Sequence, residues 1–369
     1  MKIPNKPGSA TRLTEILGIL RRHHLFSGVT PEKLRSVVED LGPTFVKLGQ
    51  MMSMRPDILP LAYCDELQKL RADVAPMPTD EVQRVIETSL GCKRSDVFPT
   101  FDPTPLGSAS IAQVHRATLP NGATVVVKVQ REGIYEKMAG DITLLKRIAR
   151  LMKLTPTGET IDFSMVLDEL WSVSQQELNF VHEADNAEAF AQFNRDVAYV
   201  TCPKIYRAYS TRQLLVMEAI NGTQIDNVDA LTAQGYDLSE IGIKLCVNYL
   251  KQILDDGFFQ ADPHPGNLLI CDGQIVWLDL GMMGTLSAKD RSIFQKAVTA
   301  AAAHDIGGLT EAVLAISKHS APVQRDVLYA DVNALLSQYF ETDIGAMNLG
   351  EIMQELLDLA QKHRLTLPP

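Results

Sequence analysis

Phe259-Gln260-Ala261-Asp262-Pro263-His264-Pro265-Gly266-Asn267 runs straight into Leu268-Leu269-Ile270-Cys271-Asp272-Gly273-Gln274-Ile275-Val276-Trp277-Leu278-Asp279-Leu280-Gly281. Two runs rich in Leu, Ile, Val and Trp flank Asp272-Gly273, a dipeptide that favours a two-residue type I′ turn, so the stretch predicts a β-hairpin. With those two residues as the loop, Cys271 faces Gln274 and Asn267 faces Leu278, next to Asp279. Opposed residues in a ladder lie roughly 5 Å apart. Two hard-oxygen side chains therefore meet at the open end of the hairpin, with Asp262 a few positions upstream. Such oxygens suit one or two Mg²⁺ ions on a nucleotide polyphosphate, and a carboxylate is left to accept a proton.

Working outward, Leu106-Gly107-Ser108-Ala109-Ser110-Ile111-Ala112-Gln113-Val114 is a small-residue segment that turns into a strand pattern. Asn121-Gly122 marks a second hairpin turn, and Val125-Val126-Val127-Lys128-Val129 is a β-branched strand with one charge in its middle. A lysine among valines is costly to bury without an anion. Lys128 lies 21 residues after Gly107, the span of a two-strand hairpin. A loop over phosphates, a strand lysine, then Asp-x4-Asn and Asp-x-Gly follow one another in the order found in protein kinases. The loop here is poor in glycine, and Ala109 and Ser110 restrict its backbone.

Helical periodicity covers 134–153, a segment at about 164–194 that carries Glu177, Asn179 and Glu183, and about 238–256, apolar-periodic at Ile241, Leu245 and Ile253. Glu177 and Glu183 do not share a helical face, so at most one of them can partner Lys128 from that helix. The strand Leu214-Leu215-Val216-Met217 leads into Glu218-Ala219-Ile220-Asn221-Gly222, a candidate hinge. Ser287-x-x-Asp290 is a capping box, and helices follow at 309–318, 325–341 and 349–363. Upstream, Thr30-Pro31-Glu32 starts a helix, Gly42-Pro43 breaks it, and a second runs to about Met54 with Phe45, Leu48 and Met52 buried. Lys47 and Gln50 share another side of it. Helices are also expected at 60–72 and 79–90. In the basic segment 1–24, Leu13, Ile16, Leu17 and Leu20 form a stripe that packs on its own protein or lies on an anionic membrane.

The net charge of −10 argues against a nucleic-acid partner. Five scattered cysteines without C-x-x-C spacing read as reduced thiols rather than a disulfide frame or a zinc site. No apolar run approaches the ~18 residues of a membrane span, and no signal peptide is visible.

With Lys47-Leu48-Gly49-Gln50, the small-residue loop Gly107 to His115, and Asp262 to Asn267, the chain from about residue 30 resembles the UbiB family (AarF/ADCK-like), atypical kinase-like proteins tied to ubiquinone biosynthesis and lipid homeostasis. The resemblance implies an α+β, bilobal protein-kinase-like fold: an N-terminal helical extension over the active site (1–97), an N-lobe (98–220) and a C-lobe (221–369) that is C-terminally shortened. It implies ATP and Mg²⁺ as cofactors. Lys128 would hold the α/β-phosphates with Glu183 as its partner, under the loop Gly107-Ser108-Ala109-Ser110. Asp262 would be the catalytic carboxylate, and Asn267 and Asp279 the metal ligands. Met217 would be the gatekeeper, with Glu218, Ala219 and Ile220 receiving adenine. Lys47 and Gln50 would fold over the cleft toward Glu177 as regulators. One position departs: the family's E-x-D reads Glu177-Leu178-Asn179, which puts the Lys47 contacts in question.

Two features argue against a peptide substrate. Only seven residues separate Asp279 from Ser287, too few for an activation segment, and Gln260-Ala261 replaces the His-Arg of phosphorylation-switched kinases. The expectation is Mg-ATP binding with hydrolysis, or phosphorylation of a small lipid-like or quinone-precursor substrate. The setting would be cytoplasmic, peripheral to the inner membrane, with an anchor lying outside this chain. The alternative is a nucleotide-sensing, lipid-binding scaffold without turnover. The sequence leaves the oligomeric state open.

Overall fold

The computed structural model describes residues 9–24, 28–53, 55, 59–70, 74–152, 163–319, 323–337, 355–356, 358–360 and 362–366. In chain order the elements begin with six helices, α1 (Ser9–Arg22), α2 (Pro31–Leu41), α3 (Pro43–Ser53), α4 (Leu61–Leu67), α5 (Thr79–Leu90) and α6 (Arg94–Val97). Strands β1 (Thr100–Phe101), β2 (Gly107–Ser108), β3 (Ala112–Thr118) and β4 (Thr124–Gln130) precede α7 (Ile134–Met152), α8 (Phe163–Glu177) and α9 (Phe180–Phe193). Then come β5 (Val200–Thr201), β6 (Leu214–Glu218), β7 (Thr223–Gln224), α10 (Val228–Ala233), α11 (Leu238–Lys251), β8 (Phe258–Gln260), β9 (Leu268–Cys271), β10 (Gln274–Trp277) and β11 (Met283–Thr285). The last elements are α12 (Ala288–Ala302), α13 (Ile306–Ile316), β12 (Lys318–His319), α14 (Arg325–Ser337) and β13 (Leu365–Thr366). Contacts group the chain into two compact units, residues 1–230 with 264–282, and residues 231–263 with 283–369. The fold is mixed α+β.

In the first unit a sheet of order β1-β3-β4-β6, with β2 on β3, is antiparallel throughout. Strand β4 alternates: Val125, Val127 and Val129 are fully buried against α5, while Val126 and Lys128 point to the other face. The predicted hairpin is β9–β10, in the register its turn dictates, with Cys271 opposite Gln274 and Leu268 opposite Trp277. Asp272 and Gly273 both have positive φ (50° and 77°), as a type I′ turn needs. Pairing continues past the strands, since the Leu278 N–H donates to Asn267 O at 2.9 Å.

The helical segment opens as the sequence indicates. Thr30 caps α2, Pro31 takes its first position, and Gly42 (φ 94°) separates α2 from α3. The stripe expected on α1 is rotated. Ile16 and Ile19 are buried, whereas Leu13 and Leu17 are exposed. The cause is Arg12, whose guanidinium pairs with the buried Asp141 of α7 at 2.7 and 3.0 Å and donates to Leu41 O. The same carboxylate accepts from Thr44 Oγ1 at 2.8 Å, so one buried charge is shared by α1, α3 and α7.

In the second unit α11 is regular only to Lys251; Gln252–Asp256 then form a π-turn, and Gly257 (φ 64°) ends it. Its inward side carries Asn248 and Gln252, while Ile243, Val247 and Leu250 are exposed. Strand β8 pairs with β11, and Ser287 caps α12 through the Asp290 N–H. Ile306, Leu314, Leu328, Val332 and Leu365 form the apolar core of this unit. The helix expected at 349–363 falls largely outside the described residues. Among the described residues no helix is long and apolar enough to cross a membrane.

Candidate active site

Lys128 stands on the face of β4 away from the valine core, so its ammonium needs an anion. It finds two. Nζ lies 2.9 Å from both carboxylate oxygens of Glu183 on α9 and 3.3 Å from Asp279 Oδ2 just beyond β10. The Phe180 ring is 5.4 Å from the same nitrogen. Burial works against the lysine's charge, but Asp279 and Glu183 outweigh it and raise its pKa above the ordinary value. Burial pushes the Glu183 carboxyl upward, against the pull of Lys128 and with help from the Asp279 charge. Asp279 is held below its usual range, chiefly by Lys128 and against burial. One cation between two carboxylates is thus the electrostatic centre of this unit.

The helix expected to run unbroken over 164–194 is two helices. No glycine or proline interrupts it; tertiary bonds do. Leu178 is buried beside Ile134 and Met138, and its carbonyl accepts from the buried Gln130 Nε2 at 3.0 Å. The Phe180 N–H donates to Arg212 O. Asn179 caps α9, accepting from the Val181 N–H at 3.3 Å. The break points the two glutamates differently: Glu183 meets Lys128, and Glu177 meets Lys47 of α3 in an ion pair. That pair forms with asparagine at position 179, where the resemblance calls for a second carboxylate. Gln50 is half-buried, and its carbonyl accepts from Ser53 Oγ at 2.6 Å. Gly49 between them permits close packing, for a Cβ there would lie 2.5 Å from Leu70 Cδ1.

Gly107 and Ser108 pair with Val114 and Gln113, and the Ala109 N–H donates to Ala112 O, so the small-residue loop is a tight hairpin tip. Arg131 grips it. Its guanidinium donates to Ala109 O (2.9 Å), Ser108 Oγ (2.7 Å) and Ala75 O (2.9 Å), joining the loop to the segment between α4 and α5. Sequence reading missed both Gln130 and Arg131. The available signal was their place at the end of the Lys128 strand and directly after it. A neutral chain lies beside them: Gln113 accepts from the Met77 N–H and bonds His115 Nε2 at 2.9 Å, while His115 Nδ1 meets Asp102 O at 2.8 Å. Burial lowers the His115 pKa.

At the candidate hinge the Glu218 N–H donates to Lys204 O and the Ala219 N–H to Thr124 O. Met217 lines a small cavity of ≈ 10 Å³ with Glu183, Ile205 and Leu280, room for about one water. At the mouth of the hairpin, Asn267 is half-buried in the turn Pro265–Asn267, and the Asp279 side chain is 41% exposed. Gly281 donates its N–H to Asp279 Oδ1 at 2.9 Å, and a Cβ there would approach that oxygen to 3.1 Å. Among the described residues no three His, Cys, Asp or Glu side chains cluster as a metal cage. One ionised carboxylate and one amide oxygen instead suit Mg²⁺, which favours a few hard oxygens and completes its shell with phosphate and water.

Asp262 belongs to the second unit, where it is exposed just after β8. Its N–H donates to Gln260 Oε1 at 3.2 Å.

The ABC1 atypical kinase-like domain profile matches residues 69–313. The chain belongs to the ABC1/UbiB family. A Clostridium pasteurianum protein named "Uncharacterized protein in hydrogenase 1 5'region" is 39% identical over 92% of this chain and 64% of its own length. A "Probable protein kinase UbiB" from Cellvibrio japonicus is 31% identical over 99% of this chain and 67% of its own. The chain thus spans about two thirds of these curated ABC1/UbiB relatives. The solved structure of Rv3197 with erythromycin from Mycobacterium tuberculosis superposes with a TM-score of 0.56 at 21% identity, covering 96% of this chain and 94% of that one, a likeness of fold.

Proposed function

We propose that this ABC1/UbiB chain binds Mg-ATP and passes the terminal phosphate to water or to a small lipid-like acceptor such as a quinone precursor. The observation that carries this reading is Lys128 bonded to both Glu183 and Asp279, beside a hairpin whose register sets Asn267 against Leu278. Family membership supports it. In this reading residues 98–220 and 221–369 are the lobes of a kinase-like domain, and 1–97 is a helical extension over the nucleotide.

Lys128, steadied by Glu183, binds the α/β-phosphates. The loop Gly107-Ser108-Ala109-Ser110 covers them, Met217 borders the base, and the backbone of Glu218 to Ile220 receives adenine. Asn267 and Asp279 hold Mg²⁺, which when bound offsets the charge of the phosphates. Asp262 accepts the proton of the attacking hydroxyl at its carboxylate oxygen. Five residue steps tie it to Asn267, at most about 19 Å of chain. Lys47 with Glu177, and Gln50, regulate access from the extension. The short span from Asp279 to Ser287 leaves little platform for a peptide. Exposed Leu13 and Leu17, two turns and one turn before Arg21, favour work at an anionic membrane face, on the cytoplasmic side.

The test is a thermal shift with Mg-ADP and Mg-ATP. A shift is expected for the wild type and its loss for Lys128→Ala and Asp279→Asn; unchanged shifts in both variants sink the nucleotide reading. Phosphate release compared with Asp262→Asn, with and without anionic liposomes and phenols, separates turnover from sensing. Equal background in both proteins favours the nucleotide-sensing, lipid-binding scaffold.

A further inference from the structure

Three carboxamide side chains lie buried end to end beneath the loop that carries Asp262: Asn248 is 1% exposed, Gln252 0% and Gln260 2%. Buried amides persist where their polar atoms are met, and here a line of bonds runs from Asn248 through Gln252 to the Gln260 main chain, and from the Gln260 side chain to Asp262. Gln252 Nε2 donates to Asn248 Oδ1 at 2.8 Å, the Gln260 N–H donates to Gln252 Oε1 at 3.1 Å, and the Asp262 N–H donates to Gln260 Oε1. Tyr249 flanks the row, its hydroxyl donating to Gln260 O at 3.0 Å. Burial, with the nearby Asp262 charge, raises the Tyr249 pKa and keeps that hydroxyl a donor.

The π-turn Gln252–Asp256 places Gln252 within reach of β8; such turns insert a residue into a helix and recur at functional sites. Neighbouring side chains take carbonyls of that turn: Arg291 donates to Asp255 O at 2.7 Å and Gln295 to Leu254 O at 2.8 Å. The charged groups nearby include the Lys251–Asp256 pair at 2.7 Å, Arg291, and Asp262 itself. Carboxamides neither take up nor release a proton near neutral pH.

We infer that Gln260, braced by Gln252 and Asn248, is a positioning residue that fixes the backbone at Asp262 through groups that do not titrate. The inference rests on the proposed role of Asp262 as proton acceptor. Kinases switched by phosphorylation carry His-Arg at the equivalent of Gln260-Ala261, where an imidazole responds to pH and an arginine to a phosphate. Here Gln260 and Ala261 supply neither group.

The experiment follows phosphate release from Mg-ATP across pH by the full chain, with the Mg-ADP thermal shift as a separate measure of nucleotide binding. Gln260→Leu is expected to lower kcat at least about tenfold, with KM and the Mg-ADP shift little changed. Gln260→His restores an acceptor while adding a titratable one. It should work at pH 8 and fail below about 6.5, an acid limb missing from the wild type. Wild-type kcat in Gln260→Leu, or matching pH profiles for the wild type and Gln260→His, overturns the inference. If Gln260→Leu does not fold, the histidine profile decides. A wild type that releases no phosphate sinks the proposed turnover instead. Amide exchange at Asp262 then still judges the relay: faster exchange in Gln260→His at acid pH supports it, and equal exchange overturns it.

Discussion

Lys128 in the first unit and Asp262 in the second are held by opposite chemistries. Around Lys128 the supports are charged, with one ammonium between two carboxylates and a second ion pair, Lys47–Glu177, behind them. Beneath Asp262 the supports are neutral amides joined by hydrogen bonds. A buried charge is stable only with its partner, so the first arrangement is strong while complete and fragile once one member is lost. Amides give less attraction per bond, and their geometry does not depend on pH.

The largest effect that would break this contrast is expected at Glu183. Glu183→Leu leaves the Lys128 ammonium to Asp279 at 3.3 Å and should cost up to about 3–5 kcal/mol in chemical denaturation, while adding Lys128→Met should recover part of it. Additive losses in the double variant would show that the pair is not the source of the penalty. Gln252→Leu removes the acceptor of the Gln260 N–H and should cost about 1–3 kcal/mol, by the same amount at pH 6 and pH 8. A cost that varies with pH would erase the distinction between the two supports.

His115 sharpens the contrast, being titratable yet held neutral by burial. Its folded pKa is lowered, so its contribution is present above the unfolded value and is lost as pH falls from about 6.5 toward the folded one. Stability should decline by up to about 1.4 kcal/mol per pH unit in that window through this group, and His115→Gln should flatten the slope by about one proton. Equal slopes would remove His115 from the account. The smallest effect belongs to Asn179. Asn179→Ala should cost about 1 kcal/mol by uncapping α9, and Asn179→Asp should match the wild type within a few tenths, since either side chain caps. A large gain from Asp would mean that the position serves more than the helix end.

What the sequence made legible was local. The β9–β10 hairpin followed from its Asp-Gly turn and apolar flanks, and Lys128 stood out because valines surround it. The break between α8 and α9 was hidden because its causes, Gln130 and the Arg212 carbonyl, come from distant parts of the chain. Along α11 and the π-turn after it, the apolar positions Ile241, Leu245 and Ile253 are half-buried, and the full burial of Asn248 and Gln252 had no signal in the apolar pattern. The stripe on α1 is turned because Arg12 follows Asp141, a partner 129 residues away. For the site, residue types and order were readable; residue spacing alone left open which carboxylate meets which lysine, and only the family resemblance assigned Glu183 to Lys128 and Glu177 to Lys47.

Arg131 has a mechanical corollary. One planar guanidinium bonds both Ala75, between α4 and α5, and the tip residues Ser108 and Ala109. A displacement of that tip must either stretch the hinge pin or drag residue 75 along, so the two segments behave as levers on a common pivot.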